Sequence, residues 1–213
     1  MLAPKKPRAG LRSFSRIEIC GGIASGKTTL AKLLGSRGHS AVFENFRKNP
    51  FWSKFYRDPK AYGFETEVTF LLQHYHLLKT ARTTELVSDF SLILDRAYVD
   101  VTLRTGQKKA FLSVYDQILK EFGLPKLLIH LVCAPTEEMR RIRRRSRLAE
   151  MGVSPRYLSE LNNSVDSHVR SVRQLCRVIQ INSQANDFAN DLNVKDKIVK
   201  KIELALTDNE LPP

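Results

Sequence analysis

The stretch Gly21-Gly22-Ile23-Ala24-Ser25-Gly26-Lys27-Thr28 decides the fold of this chain. It fits G-x-x-x-x-G-K-[ST], a loop whose backbone N–H groups close around phosphate. Upstream, Phe14 to Cys20 alternates Ile17 and Ile19 with polar residues, the pattern of a short strand. Downstream, Thr29 to Leu34 puts Leu30, Leu33 and Leu34 on one helical face. Strand, loop and helix are the setting such a loop requires. Its glycines let the backbone turn inward, and the helix N-terminus adds its dipole. Triphosphate binding is therefore assigned to Gly21, Gly22, Ile23, Ala24, Ser25, Gly26, Lys27, Thr28 and Thr29. Lys27 is expected on the terminal phosphates and Thr28 on magnesium.

The remaining sequence is consistent with one large domain built outward from this loop. Its 213 residues suffice for a substantial core, and 42% hydrophobic with 27% charged residues is ordinary for a soluble globular protein. No apolar run reaches transmembrane length. The net charge of +13 admits nucleic acid, a membrane surface or anionic small molecules as partners. Two acid-free clusters carry much of it. Residues 1–16 hold Lys5, Lys6, Arg8, Arg12 and Arg16, and with Pro4, Pro7 and Gly10 they read as a flexible basic arm. The arm lacks the apolar core of a secretory signal and is too short and proline-broken for a good organelle transit peptide. Residues 139–147 hold six arginines. Cys20, Cys133 and Cys176 are too far apart for a zinc site and read as buried thiols of a reducing, cytoplasmic compartment. The five histidines, among them His74 and His76, show no ligand spacing and read as surface or core residues.

Along the chain, His39 to Phe43 reads as a second strand and Glu44 to Pro50 as a loop. Phe51 to Tyr56 is a short aromatic segment. Asp58-Pro59 opens a long helix to about Glu85, with Phe64, Val68, Leu71, Leu72, Tyr75 and Leu78 on its apolar face. The continuous apolar run Phe90 to Leu94 predicts a third strand, buried on both faces, delivering Asp95-Arg96-Ala97 at its carboxyl end. A helix over Lys109 to Phe122, a strand over Leu127 to Val132, and a helix from Pro135 into the arginines follow. Met151 to Pro155 breaks the chain, Tyr157 to about Leu175 is helical, Arg177 to Ile181 is a fifth strand and Lys195 to Leu206 a closing helix. Alternation of this kind predicts an α/β fold with a five-stranded parallel sheet flanked by helices on both faces.

Several short motifs in order then resemble one family. They are the phosphate loop; Glu44; Asn49-Pro50-Phe51 with Phe55-Tyr56-Arg57-Asp58-Pro59; Asp95-Arg96; Arg141 to Arg147 with Glu150; and Tyr157-Leu158. From about Ile17 to Ser167, and more weakly beyond, the chain resembles the deoxynucleoside kinases, especially the bacterial deoxyadenosine/deoxyguanosine type. The resemblance implies a domain over 17–213 with an arginine-rich lid at about 139–153, commonly as a homodimer. It implies ATP, or another nucleoside triphosphate, and Mg2+ as donor and cofactor and a nucleoside as the other small-molecule partner, with neither nucleic acid nor a membrane expected as a partner. Transfer of the γ-phosphoryl group to the 5′-hydroxyl of a (deoxy)nucleoside needs positioning, neutralisation and a base. Glu44 matches the family's general base. Asp95 matches the acid near magnesium, and Arg96 the arginine holding the 5′ end and Glu44. Arg145 and Arg147 match lid arginines meeting transition-state charge, and Arg141 one that stacks on or pairs with ATP. Tyr56 and Glu150 match the pair on the sugar 3′-hydroxyl.

Two departures stand out. The family's base-reading glutamine is Glu67 here. An ionised carboxylate only accepts, which suits guanine N1–H and N2–H2 and serves adenine or cytosine poorly unless it is protonated. The family's Asp/Glu-Arg-Ser is Asp-Arg-Ala, ending in Ala97. Two rivals remain open. A thymidylate-kinase-like enzyme needs extra cations around a substrate phosphate, for which Arg47 and Lys48 are candidates. A non-catalytic nucleotide- or nucleic-acid-binding protein would exploit the net positive charge.

Overall fold

A computed structural model describes residues 15–81 and 85–207. The expected arm lies outside the described residues up to position 14, as does the C-terminal stretch from 208. Its last two positions are corrected: Ser15 and Arg16 begin strand β1 (Ser15–Gly21), with Arg16 1% exposed. An arginine so buried requires partners. Its guanidinium donates to Glu18 Oε1 at 2.7 Å and to the carbonyls of Phe122 and Gly123 at 3.0 and 2.8 Å.

Strands β1, β2 (Ser40–Val42), β3 (Glu85–Ser88), β4 (Leu127–Val132) and β5 (Arg177–Asn182) form one parallel sheet in the order β2-β3-β1-β4-β5. The expected α/β sheet is thus present, with β1 at its centre. Alternation along β1 sorts its side chains between two cores. Ile17 and Ile19 join Leu127, Ile129 and Leu131 beneath helices α1 (Lys27–Gly35) and α8 (Leu192–Thr207), against Leu30, Leu34, Ile198 and Ile202. Cys20 and Leu128 face the opposite way and pack on Leu158, Leu161, Val165 and Val169 of α7 (Pro155–Val172). Beyond the short helix α2 (Trp52–Phe55), a third cluster joins α3 (Pro59–Thr80) to α5 (Thr105–Phe122) through Leu71, Leu78, Phe111 and Ile118. All three cysteines are buried free thiols. Among the described residues, no helix is long and apolar enough to cross a membrane.

The third strand is a correction. Phe90–Leu94 is not extended: β3 ends at Ser88, and Leu92 begins helix α4 (Leu92–Thr102). Ser91 caps that helix by accepting from the Ile93 N–H at 3.1 Å. Glu18 Oε2, reaching across from β1, accepts from the Ser91 hydroxyl at 2.9 Å and from the Leu92 N–H at 3.1 Å. A buried carboxylate at a helix N-terminus satisfies free N–H groups and complements the dipole. The apolar run reflects burial of this helix between α3 and α7, which periodicity cannot distinguish from a central strand. Helix α3 also ends earlier than expected, at Thr80, and Glu85 opens β3. Helix α5 begins at Thr105, before the expected Lys109. The expected break after the arginines contains a short 3-10 turn over Leu148–Gly152.

Candidate active site at the carboxyl edge of the sheet

A cleft of about 580 Å³ opens beside the phosphate loop and runs towards Tyr56 and Glu67. On the donor side, Gly26 adopts φ 106°, a left-handed conformation that glycine takes freely. A Cβ on Gly22 would lie 2.1 Å from Glu138 Oε1, so that position has no room for a side chain. Helix α1 has no acid in its first turn, leaving the loop suited to an anion. Lys27 Nζ donates to the carbonyls of Gly21 and Gly22 at 2.9 and 2.8 Å. Burial lowers its pKa, opposed by Glu44, Glu138 and Asp89.

Thr28 Oγ1 donates to Asp89 Oδ2 at 2.6 Å, and Asp89 Oδ1 accepts the Glu44 N–H at 2.7 Å. Asp89 follows β3 directly and ties the phosphate loop to the segment after β2. A hydroxyl and a carboxylate at the start of this helix are the hard oxygen donors magnesium takes, so the residues present fit the ion. Asp95, expected there, instead lies in the first turn of α4, 6% exposed, with its carboxylate on His74. Arg96 is placed away from Glu44: it pairs with Asp100 at 2.7 Å and does not line the cleft. Ala97, also inside α4, is fully buried and accepts from Ser164 Oγ through its carbonyl. At the strand end the Asp-x-Ser pattern is carried by Asp89-Phe90-Ser91, with phenylalanine where the family has arginine.

Helix α6 (Pro135–Arg145) carries the arginines. Arg141 donates to the carbonyls of Ala24 and Ser25 at 3.3 and 3.2 Å and to that of Ser183 at 2.7 Å. It thereby joins the phosphate loop to the turn after β5. That turn is shaped by Asn182 and Asp187, whose Oδ1 atoms accept from the backbone of Gln184, Ala185, Ala189 and Asn190. Gln184, Asn186 and Phe188 line the cleft there. This turn was not among the expected site segments, although a run of Asn, Ser and Asp between a strand and a helix is a signal for shaped backbone. Arg140 pairs with Glu137 and is 61% exposed at the side chain.

Across the cleft lie Glu44, Phe46, Trp52, Tyr56, Glu67, Phe70 and Tyr98. Arg145 Nε donates to Glu150 Oε2 at 2.7 Å, and Arg147 approaches Glu150 Oε1 at 3.4 Å while its guanidinium sits 4.2 Å over the Phe46 ring. Glu67 is 5% exposed. Burial raises its pKa well above the carboxylate range, and Asp95 and Glu44 add to the rise. That rise favours the neutral acid over the ionised form on which the guanine reading rests. A neutral carboxyl offers one O–H donor and one acceptor, as an amide does.

His74, expected to be an ordinary surface or core residue, is 2% exposed and stands directly behind Glu44. Its position two residues from His76 gave no sign of this, because its partners come from other elements.

The family model described as deoxynucleoside kinase matches residues 17–207. A deoxyadenosine kinase of Dictyostelium discoideum is 29% identical over 209 residues, covering 93% of this chain and 84% of the relative. A deoxyguanosine kinase of Bacillus subtilis is 25% identical over 192 residues, covering 84% and 91%. Among solved structures, deoxyadenosine kinase from M. mycoides with bound dCTP superposes with a TM-score of 0.77 at 18% identity, covering 89% of this chain and 99% of the other. The same enzyme with bound dATP gives 0.75. At that identity the likeness concerns the fold.

Proposed function

Because the chain belongs to the deoxynucleoside kinase family, enzymes that transfer a phosphoryl group from a nucleoside triphosphate to a nucleoside hydroxyl, we propose that it phosphorylates the 5′-hydroxyl of a purine (deoxy)nucleoside using Mg-ATP. One observation carries the proposal. Asp89 joins Thr28, on the donor side, to the backbone of Glu44, on the acceptor side, so both halves share one carboxylate.

The phosphate loop, Lys27 and Thr29 hold ATP, with Arg141 and the turn after β5 around its nucleoside end. Thr28 and Asp89 hold magnesium, which when bound neutralises charge on the phosphates. Glu44 accepts the proton of the 5′-hydroxyl as its oxygen bonds to the γ-phosphorus and the bridging bond to ADP breaks. Arg145 and Arg147, the lid residues, exchange Glu150 for the phosphoryl group in transfer, freeing Glu150 and Tyr56 for the sugar. Neutral Glu67 reads a base edge with adjacent donor and acceptor, which adenine and guanine both present. The Dictyostelium discoideum and Bacillus subtilis relatives, named for deoxyadenosine and deoxyguanosine, support a purine. Arg47 and Lys48 are exposed and do not line the cleft, so a monophosphate acceptor gains no support from them.

Incubation with Mg-ATP and each natural nucleoside and deoxynucleoside, plus thymidine monophosphate, tests the assignment. Expected is transfer to a purine nucleoside, lost in Lys27→Ala. Transfer to no nucleoside, or to the monophosphate alone, overturns it.

A further inference from the structure

His74 sits between two carboxylates from different elements. Its Nδ1 faces both oxygens of Asp95, at 3.0 and 2.9 Å, and its Nε2 faces Glu44 Oε2 at 3.1 Å. A neutral imidazole has a single N–H and would turn a lone pair towards one of these oxygens. Only the imidazolium donates to both. The ring plane is fixed by parallel stacking on Phe90, 4.1 Å between centroids and 4° between planes, and by Phe70 on the cleft wall at 6.0 Å. Asp95 is itself buried in the first turn of α4. This arrangement suits a cation held in one plane behind Glu44, whose side chain is 34% exposed in the cleft.

We propose that His74, held as an imidazolium by Asp95, is the positioning residue that aims the Glu44 carboxylate at the acceptor hydroxyl. The sequence had assigned this work to Arg96, which the fold turns towards Asp100 instead. Burial alone would lower the His74 pKa, but Asp95 and then Glu44 more than reverse this and raise it to about 10. The contribution is geometric: it selects one carboxylate orientation and thereby raises the fraction of complexes aligned for transfer. The inference rests on the kinase assignment above.

The test compares His74→Gln with His74→Asn in nucleoside phosphorylation at saturating Mg-ATP. The longer amide reaches Glu44 with an N–H donor, whereas the shorter one reaches Asp95 only. Expected is a fall in kcat of about 10²-fold in His74→Asn, recovering by about tenfold in His74→Gln, with the KM for ATP shifted less than about threefold in both. Equal loss in the two variants, or a loss that appears in the ATP KM, overturns the proposal. A wild-type enzyme that phosphorylates no nucleoside overturns the kinase assignment instead, a result distinguishable from either. Nitrogen-15 NMR of the wild-type imidazoles supplies a readout independent of turnover and of variant folding. Both His74 nitrogens are expected to be protonated at pH 8, and a neutral His74 ring overturns the inference.

Discussion

Glu138 offers a quantitative check on how tightly the phosphate loop is backed. It sits in the first turn of α6, fully buried, with Oε2 accepting from Asn162 Nδ2 at 3.1 Å and Oε1 unpartnered among the described residues. A helix N-terminus favours an anion. Burial nevertheless dominates, and despite Asn162, Lys27 and Arg141 it raises the Glu138 pKa to about 7. The unfolded chain releases this proton near 4.5 and the folded chain near 7. Between those values the folded state binds more protons, so stability falls as pH rises; the contribution is intact below 4.5 and fully lost above 7. At 1.36 kcal/mol per pKa unit, the loss is about 3 kcal/mol, of which about 2–3 kcal/mol falls between pH 5 and pH 8. Glu138→Gln is neutral in both states and escapes it. Urea unfolding of the two proteins at pH 5 and pH 8 should show their stability difference moving in favour of the variant by about 2–3 kcal/mol at the higher pH. In thermal unfolding this corresponds to about 4–12 °C for a chain of this size. A constant offset between the two proteins across that range would refute a buried, neutral Glu138.

Arg16→Ala should cost about 3–5 kcal/mol in urea unfolding, because it leaves Glu18 charged and buried without its ion-pair partner; a loss under about 1 kcal/mol would show that Glu18 is satisfied without it. Asp89→Asn should raise the Mg2+ concentration for half-maximal phosphorylation by about 10–100-fold, while Asp95→Asn lowers kcat and leaves that requirement in place. The reverse pattern would return the metal to Asp95. Glu67→Gln should preserve the base preference, since neutral acid and amide offer the same donor and acceptor. It should also abolish the wild-type loss of nucleoside affinity as pH rises through the elevated Glu67 pKa; an altered preference, or identical pH profiles, would count against a protonated Glu67.

The sequence by itself determined the phosphate loop, the α/β class and most element positions. Those features are encoded locally. Turn glycines, a lysine and a hydroxyl at fixed spacing, and apolar residues at helical or strand period are all read within one short window. Leu127–Val132 was recovered to the residue for that reason. Glu44 and the arginines of α6 were also legible, because they follow identifiable elements and sit in recognisable patterns. The third strand was not. Ser-Leu-Ile-Leu is equally compatible with a central strand and a buried helix, and the deciding contact is made by Glu18, whose Oε2 lies 3.1 Å from the Leu92 amide across 74 positions of chain. Misplacing that strand put Asp95-Arg96 at the strand end, where Asp89 stands, and gave Arg96 a place it does not occupy. His74 and Glu67 were undecided for a related reason. A side chain's protonation state depends on which charges the fold brings beside it and how much water it excludes. Neither quantity is local in sequence. Tertiary structure alone put Asp95, His74 and Glu44 in line, and buried Glu67 so that its pKa rises.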